Sequence, residues 1–159
     1  MAFVGYLQVK VFRSGCRVQG RCYRQLSNLR RNSEAFDRME EIVDKLGKEC
    51  PWTKSQSSDS IIKHIREEVE EVEDEIERNE ELSLIEEELG DVVFNILLLS
   101  EVLQKESKGG FKLERGILKT ADKVMRRSPH VFGGEKATTV QEAMDLWQRE
   151  KKREKGILP

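Results

Sequence analysis

From Leu89 to Leu103 the chain reads LGDVVFNILLLSEVL, which as a helix is apolar nearly all round. A helix without a polar face has to be covered on most sides by other elements. This one also carries charge. Glu88, Asp91 and Asn95 stand at i, i+3 and i+7, and residues so spaced share one helix face. A carboxylate turned toward a core is costly unless it is paired or metal-bound. The segment therefore requires a helical bundle around it and a counter-charge inside that bundle.

The rest of the sequence can build the bundle. Of 159 residues 36% are charged and only three are proline. That mixture favours helices over a sandwich or barrel. Phe36, Met39, Val43 and Leu46 predict a first helix over 33–46, capped by Ser33 and ended by Gly47. A loop, CPWTKSQSSD, follows. Ile62, Ile65, Val69, Val72 and Ile76 line a second helix over about 59–78. The third, over 83–104, opens on a Ser83-x-x-Glu86 capping box. The fourth, over 113–127, buries Ile117, Ala121, Val124 and Met125 and stops before Pro129. The fifth starts at Thr139, capped with Glu142, and contains Trp147. The expected fold is all-α, an antiparallel helical bundle of about five helices. Five helices cannot cover the third completely. Part of Phe94, Leu97, Leu98 and Val102 is expected to stay exposed in a monomer, which predicts completion by self-association.

Charge and cysteine usage narrow the partners. The net charge is only −2, but the charge is segregated. Residues 1–33 hold seven Lys/Arg and no acid, and residues 67–91 hold 14 acids and one base. Uniform basicity, the footprint of nucleic-acid binding, is absent from the body of the chain. No apolar run is long enough to predict a membrane span. Three cysteines, Cys16, Cys22 and Cys50, form no CxxC pair, so a disulfide framework is not expected and a reducing compartment fits. The basic segment 1–33 reads as an extension ahead of a domain over 34–159. Its composition suits a solvated tail, an organelle transit peptide or an RNA-binding arm. The expected location is cytoplasmic, or a plastid or mitochondrion if the segment is a transit peptide.

The chemistry lies in two carboxylate pairs. Helix two carries Glu68-x-x-Glu71 and helix three Glu88-x-x-Asp91. On adjacent antiparallel helices the pairs can converge, and four converging charges need a counter-ion. A hard divalent cation suits oxygen ligands. Glu70, Glu73, Glu77, Glu80 and Glu81 read as plain solvated surface. Lys119, Lys123, Arg126 and Arg127 repeat along helix four. Opposed to metal-loaded carboxylates they could hold a polyphosphate, although basic residues also complement a helix C-terminus.

The segments CPWTKSQSS, REEVEEVEDEI, EEELGDVVFN, KVMRRSPHVFG and WQREKKREK resemble, in order, the MazG-type nucleoside triphosphate pyrophosphohydrolases, over about residues 36–155. The resemblance implies an all-α, Mg²⁺-dependent enzyme, with Mn²⁺ as a substitute. It would cut a nucleoside triphosphate into monophosphate and pyrophosphate, in a house-cleaning role, as a homodimer or homotetramer. It implies Glu68, Glu71, Glu88 and Asp91 as metal ligands, with Glu67 beside them orienting water. It implies Lys123 and Arg127 as phosphate-binding bases with Arg126 adjacent. Trp147 and Lys151, one turn apart, match an aromatic and a lysine near the nucleotide. Trp52, Lys54 and Gln56 lie in the matching loop. Asn95 is a nucleotide contact or a buried hydrogen-bonding residue, and His130 reads as structural. Two positions depart from the family pattern: Thr53 stands for the acid of CPWDK, and Ser128 for the first His of RRHPHVF. Rival readings are a dUTP/dCTP or phosphoribosyl-ATP pyrophosphatase, and a non-catalytic helical interaction module.

Overall fold

The computed structural model describes residues 21–157, with side chains from residue 31 onward. The run Phe3–Phe12 and most of the basic extension lie outside the described residues. Seven helices are present among the described residues: α1 Arg21–Glu49, α2 Pro51–Ser55, α3 Ser58–Glu77, α4 Leu82–Glu106, α5 Leu113–Arg127, α6 Pro129–Phe132 and α7 Val140–Glu154. The two beyond the expected five, α2 and α6, are short, and each begins on a proline. Proline suits a first helical position because the N–H it lacks would be unpaired there.

The chain divides into a unit ending at Ile42 and a second unit beginning at Val43. In the second unit α3 and α4 form an antiparallel hairpin. Its far end is tied where the Ser58 N–H donates to Glu106 Oε1 at 3.0 Å, and its middle where Asn95 meets Glu68. The turn is made by Asn79 at φ 55°. The N–H groups of Asn79 and Glu80 donate back to Ile76 O and Glu75 O, both at 3.1 Å. This double closure satisfies carbonyls that the helix end would leave unpaired, and Asn tolerates the left-handed backbone it needs. The core is small. Val43, Ile61, Leu97, Leu98 and Val102 are buried, with Thr53 and Asn95 as buried polar residues.

Several expectations are corrected. The first helix starts at Arg21, ahead of Ser33, so Ser33 caps nothing. It also runs through Gly47. A side chain there would meet Glu101 and Lys105 at 3.0–3.1 Å, and Lys105 Nζ donates to Gly47 O at 3.0 Å. Gly47 is thus a close-approach point between α1 and α4, not a stop. The fourth helix begins at Leu82 behind Glu81, without a side-chain cap, so the Ser83 box is not used. Ser57 caps α3 through a reciprocal pair with Ser60, whereas the Thr139–Glu142 box of α7 is as expected. Leu97, Leu98 and Val102 are fully covered, and α4 is exposed instead at Leu82, Leu84, Leu89 and Ile96. On α5 the residues expected in the core, Ile117, Ala121, Val124 and Met125, are all exposed. Its close pairings are with α6 and α7, so its apolar face has no cover within those contacts.

Two measurements test this packing. Leu98 is 0% exposed, so Leu98→Ala should cost about 2–5 kcal/mol in chemical denaturation. The Glu142 carboxyl is held below its ordinary 4.5, chiefly by the Thr138 N–H and then by the Thr138 hydroxyl and the Thr139 N–H. Its stabilising effect is therefore complete above about pH 4.5 and is lost as pH falls through the lowered value. The Tm difference between pH 7 and pH 4 should be smaller in Glu142→Gln than in wild type. An unchanged difference would exclude this cap as a source of the acid sensitivity.

Candidate active site

The helical hairpin sets the carboxylates. Glu67, Glu68 and Glu71 come from α3, and Glu88 and Asp91 from α4. One carboxylate oxygen from each of Glu68, Glu71 and Glu88 lies within 4.8 Å of the others. Asn95 is buried at their base. Its Nδ2 donates to Glu68 Oε1 and to its own helix at Asp91 O, both at 3.1 Å. Asp91 is exposed and outside that tight trio, yet its charge reaches both half-buried glutamates. Glu68 titrates above the ordinary carboxylate range, first because it is desolvated, then because of Asp91 and Glu71; the Asn95 amide opposes the shift. Glu88 is raised for the same first reason, then by Glu71, Asp91 and Glu68. Mutually repelling oxygen donors on two rigid helices fit a hard divalent cation.

A second layer flanks the hairpin. Glu67 is exposed, and its Oε2 lies 2.9 Å from His64 Nδ1. The His64 ring is 5.8 Å from that of Trp52, tilted by 47°. Trp52 and Lys54 stand exposed on α2, while Thr53 between them is buried with no partner for its hydroxyl. Gln56 Nε2 donates to Trp52 O at 3.1 Å. His64 escaped the sequence reading. The available signal was its position three residues before Glu67 and four before Glu68.

The bases form a separate group on α5 and α7. Lys123 is half-buried and Arg126 exposed. A single carboxylate, Glu154 at the end of α7, takes both arginines. Its Oε1 accepts from Arg126 Nε and Nη2 at 3.2 and 3.0 Å, and its Oε2 from Arg127 Nε and Nη2 at 3.1 and 2.6 Å. The Arg127 guanidinium also lies 5.5 Å from the centre of the Trp147 ring, a cation–π distance. Lys151 follows one turn later, half-buried. A cavity of about 490 Å³ opens beside Trp147, between Ser128, His130, Met144 and Gln148. The His130 Nδ1 is buried and unpartnered. Glu154 was also missed, because on sequence it is one acid among seven charged residues at 149–155.

The two groups are not joined inside the chain. Among the described residues no ion pair or hydrogen bond links Glu68, Glu71, Glu88 or Asp91 to Lys123, Arg126, Arg127 or Lys151. The arginines spend their contacts on Glu154, and the helices that carry the bases pair with one another. Among the described contacts the bases and the carboxylates therefore do not pair directly.

Fold and site together define an all-helical protein organised round a carboxylate-bearing helical hairpin. The family model "MazG nucleotide pyrophosphohydrolase domain" matches residues 56–132. In structure the chain is similar to a mazG-related protein from Thermotoga maritima, with a TM-score of 0.65 and 33% identity over 73% of this chain and 98% of that one. The chain belongs to the MazG family. It is 34% identical over 107 residues to the nucleoside triphosphate pyrophosphohydrolase of Escherichia coli, covering 67% of this chain and 40% of that protein. It is 29% identical over 124 residues to the nucleoside triphosphate pyrophosphohydrolase/pyrophosphatase MazG of Thermotoga maritima, covering 76% and 47%. The chain thus spans less than half the length of these curated relatives. No helix among the described residues is long and apolar enough to cross a membrane.

Relief of repulsion gives a direct test of the ion site. Glu71→Gln should leave the ion-free protein at least as stable as wild type. Saturating Mg²⁺ should raise the wild-type Tm by roughly 5 °C and the variant's by much less. A wild-type melt indifferent to both Mg²⁺ and Mn²⁺ would mean that the trio holds no ion.

Proposed function

We propose that the protein hydrolyses nucleoside triphosphates to the monophosphate and pyrophosphate, with Mg²⁺, or Mn²⁺ in its place, on Glu68, Glu71, Glu88 and Asp91. The observation that carries this reading is the convergence of three carboxylates, each contributed by a fixed helix, over the buried amide of Asn95. A non-catalytic interaction helix has no need of half-buried acids raised first by desolvation and then by one another's charge. A divalent cation bound there supplies a Lewis acid for the phosphates and a counter-charge for the leaving group. Asn95 holds the Glu68 carboxylate in one orientation. Glu67, an exposed acceptor hydrogen-bonded to His64, orients the attacking water. Lys123, Arg126, Arg127 and Lys151 take the phosphate charge. Trp147, with the cavity beside it, offers a planar face and a largely apolar wall to a nucleobase.

The reading requires the bases and the acids to meet, and among the described residues no ion pair or hydrogen bond joins them. The hairpin exposes Ile62, Val69 and Ile76 on α3 and Leu82, Leu84, Leu89 and Ile96 on α4, and α5 exposes Ile117, Leu118, Val124 and Met125. Apolar faces of this extent mark interfaces. The acidic hairpin and the basic α5–α7 group are complementary in charge. The functional form is then a homodimer, or a homotetramer built from such dimers, in which the bases of one chain close over the carboxylates of the other.

Turnover tests both statements. Glu71→Gln and Glu88→Gln should each lose at least two orders of magnitude in pyrophosphate release while keeping the helical circular-dichroism spectrum. Two variants that stay near wild-type rate would end the assignment. Mixing inactive Glu71→Gln with inactive Arg127→Ala after unfolding and refolding should restore about a quarter of the wild-type rate, because one site in four combines two intact halves across a two-fold dimer. Failure of the mixture to recover activity would place bases and acids of one site in the same chain.

A further inference from the structure

One carboxylate takes the Nε and Nη2 donors of two arginines, and nothing in the reaction requires it. Glu154 accepts four hydrogen bonds, two from each guanidinium, at 2.6–3.2 Å. The Nε and Nη2 edge is the same fork with which arginine grips two oxygens of a phosphate. Glu154 is well formed for this task. It is the last residue of α7, just ahead of Gly156, whose φ of 67° turns the chain away. Its side chain is largely covered, as is that of Arg127. Arg127 holds its carboxyl below the ordinary range, with Arg126 adding to the effect, so it is an anion at neutral pH.

We propose that Glu154 is an internal anion that competes with phosphate for Arg126 and Arg127, and that it sets the lowest affinity a ligand must have to be retained. The proposal rests on the reading that these arginines bind the phosphate arm of a nucleotide. When Glu154 is seated, the Nε–Nη2 fork of each arginine is not free for a ligand, and the apparent Kd of every phosphate ligand that needs this fork rises by the inverse of the free fraction. The factor is common to all of them. Its consequence is not, because a triphosphate with many contacts stays bound at physiological concentration, whereas a monophosphate or free phosphate falls out of range. Glu154 would thus favour substrate entry over retention of the nucleoside monophosphate product. Seating costs little to reverse, since partly exposed ion pairs are weak and long-chain polyphosphates carry more charge than one carboxylate.

The test is calorimetric titration of the full-length protein, without divalent ions so that the carboxylate trio takes no part. The probes are inorganic tripolyphosphate and inorganic phosphate. In Glu154→Gln both Kd values should fall by the same factor, about three- to tenfold. Arg127→Ala should weaken both. If Glu154→Gln leaves the Kd values unchanged or raises them while Arg127→Ala weakens binding, Glu154 is a positioning residue for Arg127 and the competition is refuted, with the phosphate reading intact. If Arg127→Ala changes neither, the arginines do not bind phosphate and the proposal falls with that reading. Glu154→Ala, checked for an unchanged Tm, separates loss of charge from any new contact made by the amide.

Discussion

Repulsion among Glu68, Glu71, Glu88 and Asp91 is the constraint on which the rest of the molecule turns. Each sits on a helix, and Glu68 and Glu88, already desolvated, are made harder to ionise by Glu71 and Asp91. Hydrophobic packing of the hairpin therefore has to hold the acids together against their own field. Leu97, Leu98 and Val102 on α4 and Ile61 on α3 form the buried apolar set that does so. Asn95 is the one polar group admitted to that layer, and it is satisfied twice, by Glu68 and by the carbonyl of Asp91. An apolar residue at 95 would pack, but it would leave Glu68 without the donor that favours its charged form.

The hairpin was legible because its signals are local and repeat. The isoleucine and valine stripe of α3, the apolar run of α4 and the two spaced acid pairs each state a helix face, and residues on one face stay together whatever the loops do. The ends were less legible. Asn79 rather than a glycine makes the α3–α4 turn, and Gly47 permits a close helix crossing where a stop was expected. The same residue type serves both uses, and only the neighbour, here Glu101 and Lys105, decides between them. Pro129 does end α5 behind Arg127, and both it and Pro51 open a short helix of their own.

The burial of α5 was misread for a different reason. Its apolar stripe is real, and the periodicity reports that the face is covered by something. It does not report by what. Among the described residues the stripe on α5 and the exposed leucines of α4 are alike uncovered within the chain. Sequence periodicity cannot distinguish an intramolecular core from an intermolecular one, since burial has the same energetics in either. His64 and Glu154 were illegible on other grounds: their roles come from pairs 12 and 27 residues apart, Trp52 with His64 and Arg127 with Glu154.

That separation of charges has a physical logic. If Arg126 and Arg127 lay within reach of the four carboxylates in the same chain, they would neutralise them, and neither a cation nor a phosphate would find an unpaired partner. Among the described residues the two arginines have a local carboxylate in Glu154, while no Lys or Arg pairs with the four acids. Glu154 is one charge against two guanidinium groups, so the base cluster keeps a net positive field even when its carboxylate is seated. The acid cluster keeps a net negative one. Each half is then left attractive to what the other half, or a metal nucleotide, brings. A ligand that carries both signs of charge would satisfy both halves in a single binding event.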